Sequence, residues 1–126
     1  MERLQLAATD KTPSVLFDPA QGIIELTGCS IHENADRFFR PLIEMAERYA
    51  LAPASQTTIR LSLSYFNSSS AKYVLDLLKI LDEVHVAEQG KVRLDWLYEE
   101  DDLDMEEAGN DYRALLSMPV KLLRTS

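Results

Sequence analysis

The hydrophobic pattern changes its period abruptly in the middle of the chain. Residues 57–65 alternate apolar with polar side chains, which predicts a strand with one buried face. Residues 71–86 instead repeat their apolar side chains at intervals of three and four, which predicts a helix, and residues 91–98 alternate again. A strand, a helix and a strand in this order are joined most simply as a parallel pair with a helical crossover, so the sequence predicts an α/β fold.

The first part of the chain predicts a hairpin followed by a helix. Residues 13–18 and 23–27 are short strand-like runs, and the turn-forming residues 19–22 separate them. Residues 34–50 repeat apolar side chains at helical intervals. Pro41 lies inside this segment, and because proline removes one backbone donor, we expect either a kink or a helix that restarts there.

The last part predicts one more helix and one more strand. Gly90 is expected to end the helix of residues 71–86, residues 99–115 predict an acidic helix, and residues 118–123 a final short strand. A chain of 126 residues with 46% hydrophobic residues can close one core without disulfides. We therefore expect a single α/β domain spanning residues 1–126, with helices packed against a mixed sheet of about five strands.

Charge limits the partners that this chain can have. The formal net charge is -8, and nucleic-acid affinity comes largely from Lys and Arg displacing counterions. We therefore expect no nucleic-acid partner and no association with anionic lipid. The sequence has no run near the roughly 18 apolar residues of a membrane span and does not begin like a signal peptide, so we expect a cytoplasmic protein.

Residues that often bind metals do not occur here at ligand spacing. His32 and His85 lie far apart, and Cys29 is the single cysteine of the chain. The carboxylates at residues 101–104 lack the alternation of a calcium loop and are expected to form the solvated start of a helix. There is also no glycine-rich phosphate loop, so the sequence predicts neither a metal nor a cofactor.

The junction between the central strand and helix carries the candidate chemistry. It contains Asn67, Ser68, Ser69 and Ser70. Such residues cap helices by accepting bonds from otherwise unpaired amides, and this alone explains their presence. A phosphate on an exposed hydroxyl at this position would also meet free amides and the positive end of the helix dipole. The residues by themselves leave both interpretations open, a structural cap and a phosphorylation site.

A nucleophilic serine is an alternative from another functional class. Ser68, His85 and Asp95 are the residue types of a hydrolase triad, and a small serine hydrolase would use Ser68. However, the sequence has no GxSxG elbow, and proteins of this size contain these residue types by chance. We therefore expect that the protein is not an enzyme.

Four separated blocks of sequence resemble one known family over almost the whole chain. They are residues 11–18, residues 33–42, residues 65–71, and residues 96–98 followed by the acidic stretch and Ala108-Gly109. In this order they resemble the SiaC-type regulatory phosphoproteins, which are STAS-like and similar in plan to the antagonists of anti-sigma factors.

This resemblance implies a specific function for the serine junction. In the family, a serine/threonine protein kinase phosphorylates the Ser or Thr directly after the Asn, and a PP2C-type phosphatase removes the phosphate. The corresponding residue here is Ser68. Asn67, Ser69 and Ser70 would then shape the switch loop. The unmodified form is expected to bind and activate a diguanylate cyclase, which links it to cyclic-di-GMP and biofilm regulation.

The antagonists of anti-sigma factors offer a second function within the same class. They carry their phosphoserine in an Asp-Ser-Ser-Gly run, so the resemblance also allows an anti-anti-sigma factor that sequesters an anti-sigma kinase. Here Ser70 replaces the glycine of that run, which favours the SiaC-type interpretation.

Overall fold

The strands of the chain lie in the sheet in the same order as in the sequence. The computed structural model describes residues 1–125, and over these residues it contains six strands and three helices. The elements are β1 (Leu4–Leu6), β2 (Ser14–Asp18), β3 (Ile23–Ser30), α1 (Ala35–Leu51), β4 (Gln56–Phe66), α2 (Ser68–Val86), β5 (Lys91–Glu99), α3 (Leu103–Leu115) and β6 (Val120–Thr125). Strands β1 to β3 pair antiparallel and β3 to β6 pair parallel. The predicted α/β class with a mixed sheet is therefore confirmed.

The parallel strands place the helices on one face of the sheet. Right-handed crossovers that all advance in the same direction leave their helices on the same side. On that side, Val15, Leu26, Leu61 and Trp96 are cross-strand neighbours, and each is at most 2% exposed. The core therefore lies between this row of side chains and the apolar faces of the helices.

The opposite face of the sheet carries a row of charged side chains. Glu25, Arg60, Asp95 and Lys121 are neighbours across four adjacent strands. The guanidinium of Arg60 lies 3.5 Å from Glu25 Oε2 and 3.8 Å from Asp95 Oδ2. Such partly exposed ion pairs contribute little to stability, but they make this face compatible with water.

Helices α1 and α2 pack against each other near their first turns. The ring of Phe39 stacks on that of Tyr73, with centroids 5.8 Å apart. Arg40 and the hydroxyl of Tyr73 both donate to Asp36 Oδ1, and these bonds lower the pKa of that carboxyl below 3.8. Because this pKa is lower in the folded state, the resulting stabilisation is present above pH 3.8 and is lost as the pH falls through the folded-state value.

Two features of the first half differ from the sequence-based expectation. Strand β1 was not predicted, since it has only three residues and lies at the sheet edge, where it pairs with β2. Of the kink or restart expected at Pro41, the restart does not occur, because α1 runs through that residue as one helix. Asn34 begins this helix, its side chain accepting the Arg37 amide at 3.2 Å.

Two helix boundaries depend on residues other than those predicted. Helix α2 ends at Val86 as predicted, but Glu88, with a left-handed φ of 57°, terminates it instead of Gly90, and the Gln89 amide donates to the Val84 carbonyl at 3.1 Å. Helix α3 does not begin at residue 99, since β5 continues to Glu99, which pairs with β6. Asp102 is the cap of α3, and its side chain accepts the Met105 amide at 3.0 Å.

Gly109 allows α3 to approach the sheet closely. A Cβ atom at this position would lie 2.6 Å from Cδ1 and 2.7 Å from Nε1 of Trp96. The indole is 1% exposed, and its Nε1 donates to the Met105 carbonyl at 3.0 Å, so the ring has no free space into which it can move. A side chain at residue 109 would therefore push α3 away from β5.

We predict that Gly109→Ala lowers the free energy of unfolding by about 1–3 kcal/mol because of this overlap. Gly→Ala in a helix without such a contact would instead raise it. Urea unfolding followed by Trp96 fluorescence measures the change, and Asn110→Ala, at an exposed position of the same helix, is the control. A Gly109→Ala protein as stable as the native one would show that the close approach is not required.

Candidate functional site

The candidate site is the junction at which β4 passes into α2. Strand β4 ends at Phe66, Asn67 is extended with ψ 173°, and the helix begins at Ser68. The Asn67 side chain accepts the Ser70 amide at 2.9 Å, and its carbonyl accepts the Ala71 amide at 2.9 Å. Asn67 is therefore the cap of α2, and the hydroxyl of Ser68 is not required for that role.

The three serines of the junction have different environments. Ser68 and Ser69 are exposed, whereas Ser70 is 0% exposed. The Ser30 hydroxyl donates to Ser70 Oγ at 2.8 Å, and Ser30 is itself buried at the end of β3. The sequence predicted a helix from residue 71 with these serines as neighbours in a switch loop before it, but the structure places them in the first turn of α2, and only Ser68 and Ser69 are exposed.

Ser30 also fixes the backbone of the junction. The Asn67 amide donates to the Ser30 carbonyl at 3.1 Å, so β3 contacts both the cap and the first turn of α2. The two serines lie 40 positions apart in the sequence. No local pattern in the sequence signals such a pair, and sequence reasoning missed it.

The first turn of α2 favours negative charge. The first amides of a helix have no intrahelical acceptor, and the aligned peptide dipoles add partial positive charge there. The turn contains no acidic residue, and Lys72 follows Ser68 by one turn. Its ammonium lies 3.3 Å from Asp76 Oδ2 and 4.8 Å from the centroid of the Tyr73 ring. An anion on Ser68 would thus meet the free amides of the first turn, whereas the Lys72 ammonium contacts Asp76 in the next turn.

Large apolar side chains are exposed at the end of the sheet where the parallel strands finish. Ile31 follows β3, Tyr65 lies near the end of β4, and Leu103 begins α3 after β5; their exposed fractions are 37%, 60% and 70%. The carboxyl ends of parallel strands lie at the same end of the sheet, so these residues lie at the end that carries Ser68. Exposed apolar groups rimmed by polar residues are typical of protein contact surfaces.

The exposure of Tyr65 could not be predicted from the sequence. Continued alternation along β4 would place it on the buried face with Leu61 and Leu63. The pairing of β3 with β4 shifts register between Gly28 and Cys29, which turns Tyr65 outward. Such a shift depends on the partner strand and has no signal within β4 itself.

The acidic stretch lies between β5 and α3. Glu100 is 3.4 Å from Arg124, and Asp102 caps the helix, as described above. Asp104 and Glu106 lie in the first turn of α3, where the helix dipole favours them. These carboxylates give this flank of the junction a negative potential.

The residues of the hypothetical hydrolase triad do not come together. His85 lies near the opposite end of α2 from Ser68, about 25 Å along an axis that rises about 1.5 Å per residue. Its Nδ1 accepts the Val92 amide at 3.3 Å. Asp95 faces Arg60 and Arg93, each at 3.8 Å. The alternative of a serine hydrolase that uses these three residues is therefore wrong.

Two further properties concern metals and membranes. Within residues 1–125, no three His, Cys, Asp or Glu side chains are arranged so that they could bind a metal ion. None of the helices formed by these residues combines the length and hydropathy needed to cross a membrane.

Known proteins match this chain over almost its full length. The model of the family described as SiaC family regulatory phosphoprotein matches residues 6–125. An uncharacterised protein of Pseudomonas aeruginosa strain UCBPP-PA14 is 29% identical over 119 residues, which cover 94% of each chain.

Solved structures show the same fold. SiaC of Pseudomonas aeruginosa is 28% identical with a TM-score of 0.91, and the match covers 99% of this chain and 100% of that one. A chain in the crystal structure of the diguanylate cyclase SiaD in complex with its activator SiaC, from the same organism, matches with a TM-score of 0.90 and 28% identity. This match covers 97% of the present chain and 99% of the other.

We predict that Asn67→Ala lowers the free energy of unfolding by about 0.5–2 kcal/mol, because the Ser70 amide loses its acceptor. Ser68→Ala is the matched control, and we expect it to change stability by less than about 0.5 kcal/mol, since its hydroxyl does not cap the helix. Chemical denaturation measures both values. An equal loss in the two variants would show that Ser68 shares the capping role.

Proposed function

The chain belongs to the SiaC family of regulatory phosphoproteins, and we propose that it acts as a binding switch controlled by phosphorylation of Ser68. The observation that carries this proposal is the division of roles in the first turn of α2. Asn67 caps the helix and Ser70 is buried, so the accessible hydroxyls are those of Ser68 and Ser69, and Ser68 is the one directly after Asn67, as in the family pattern.

The physical chemistry of the first turn supports Ser68 as the acceptor. A phosphate adds a charge of about -1.5 to -2 at pH 7 and three acceptor oxygens. At this position it would accept bonds from free amides and interact favourably with the helix dipole. The fold would therefore tolerate the modification without rearrangement.

We propose that the unphosphorylated form binds and activates a diguanylate cyclase. The support is that the relative in the P. aeruginosa complex is named as the activator of such an enzyme. A serine/threonine kinase would add the phosphate and a PP2C-type phosphatase would remove it, so the output would be cyclic-di-GMP synthesis in biofilm regulation. The protein itself would catalyse nothing, consistent with the separation of Ser68, His85 and Asp95 described above.

The carboxyl end of the parallel strands around Ser68 is the proposed contact surface. Tyr65, with 60% of its surface exposed, lies three residues before Ser68, and aromatic side chains often anchor protein interfaces. The neighbouring carboxylates would mainly steer a partner with basic residues. A partner that covers this surface would also cover the hydroxyl of Ser68.

We predict that phosphate is attached to Ser68 and not to Ser69 or Ser70. Ser70 is buried against Ser30, so a kinase could reach it only after the first turn of α2 opens. Incubation with the cognate kinase and ATP, followed by mass spectrometry, locates the phosphate. A phosphopeptide modified at Ser69 or Ser70 with Ser68 unmodified would refute the assignment.

A further prediction concerns binding to the cyclase. We expect phosphorylated Ser68 to weaken the complex with the cyclase about a thousandfold, because the interface must desolvate a dianion. Ser68→Asp should fold normally and bind poorly, although it carries only one charge, and Ser68→Ala should bind like the unmodified protein.

Thermal melts and calorimetric titrations test this prediction, with Ser69→Asp as the control for added charge one residue away. Equal affinity of the unmodified and fully phosphorylated proteins would rule out the switch. A loss of the cooperative thermal transition in the phosphorylated form would show that the phosphate acts by unfolding the domain and not by changing its binding surface.

A further inference from the structure

An aromatic cluster lies beneath the first turn of α2. It consists of Phe66 at the end of β4, Trp96 on β5 and Tyr112 on α3. The ring centroid of Trp96 is 6.2 Å from that of Phe66 and 5.2 Å from that of Tyr112, and the rings of Phe66 and Tyr112 are 6.4 Å apart. These contacts fix the ring of Tyr112 in one place, since buried aromatic pairs have preferred geometries.

Tyr112 contacts α2, the switch helix that begins at Ser68. Its hydroxyl donates to the carbonyl of Ala71 at 2.9 Å, and Ala71 donates its own amide to the carbonyl of Asn67. Burial raises the pKa of Tyr112 to about 12, and the charge of Asp111 adds to this effect. The hydroxyl therefore remains a protonated donor well above neutral pH.

The first turn of α2 is thus bonded on two sides. Ser30 on β3 bonds the Ser70 hydroxyl and the Asn67 amide, and Tyr112 on α3 bonds the Ala71 carbonyl. Removing either support would leave the turn attached on one side only. Ser68 is the first residue of this turn, so the direction of its hydroxyl depends on both supports.

We propose that Tyr112 is a positioning residue of the switch: its hydroxyl, fixed by the aromatic cluster, orients the first turn of α2 and thereby the hydroxyl of Ser68 toward a kinase. This inference rests on the proposed function, in which Ser68 is the acceptor. It assigns to α3 a part in the reactivity of a residue on another helix, beyond the contact of α3 with the sheet.

Tyr112→Phe tests this inference because it retains the ring and removes only the hydroxyl. Tyr98→Phe is the matched control, since that hydroxyl bonds Glu106 on α3 and not the switch helix. In Tyr112→Phe we expect the amides of Ser70 and Ala71 to exchange with solvent about two- to tenfold faster by NMR, as for the loss of one hydrogen bond. Tyr98→Phe should leave these rates unchanged.

Phosphorylation kinetics with the cognate kinase separate positioning from simple loosening. We expect Tyr112→Phe to lower kcat about two- to tenfold with KM unchanged, because docking is preserved and the hydroxyl is misaligned. Unchanged exchange rates, an unchanged kcat, or a raised KM with an unchanged kcat would each overturn the inference. Failure of the kinase to modify Ser68 in the native protein would instead refute the proposed function, whatever the variants do.

Discussion

The site depends on how the first amides of α2 find acceptors. A helix leaves its initial amides without intrahelical partners, and here the side chain of Asn67 satisfies the amide of Ser70 at 2.9 Å. If Ser68 performed this task, a phosphate on its hydroxyl would remove the cap and weaken the helix. Because the residue before it performs the task, the exposed hydroxyl can change its charge while the helix start stays intact.

The order of the strands places this junction among the other helix starts. Strands β3 to β6 are parallel and sequential, so their carboxyl ends lie at the same end of the sheet. The caps Asn34, Asn67 and Asp102 follow these strands and lie there too. Exposed apolar residues and carboxylates also lie at this end. On the face of the sheet that the helices do not cover, the side chains form ion pairs such as that of Arg60 with Glu25. The topology therefore brings Ile31, Tyr65 and Leu103 to the end of the sheet that carries Ser68, while Leu51, Val86 and Leu115 are exposed at the last residues of the three helices.

Sequence periodicity predicts the central elements because their patterns are long, and it fails where the deciding contact is distant. The alternation in residues 57–65 and the stripe in residues 71–86 correspond to β4 and α2. Three-residue β1 has too little sequence for a period, and the outward turn of Tyr65 follows from the register of β3. Ser68 is suggested by family resemblance and remains a prediction.

The burial of Ser70 shows the same limit within the site. The run of serines does not indicate which hydroxyls are accessible, and Ser70 is buried by a contact with Ser30 from another strand. The hydrogen bond from the Tyr112 hydroxyl to the Ala71 carbonyl of α2 likewise spans 41 positions. Local propensity can place a helix start, whereas the accessibility of each hydroxyl there is a property of the tertiary fold.

Two free-energy terms would act on the switch in the same direction. In the free protein, negative charge in the first turn of a helix is stabilised by about 0.3–1 kcal/mol at an exposed position. In the complex, the same charge must lose water, which costs several kcal/mol unless a cation of the partner pairs with it. The first term lowers the free energy of the unbound state and the second raises that of the bound state, so both weaken binding. Since the second term is larger, the strength of the switch would be set by the partner surface opposite Ser68, and a partner with a suitably placed arginine would respond in the opposite sense.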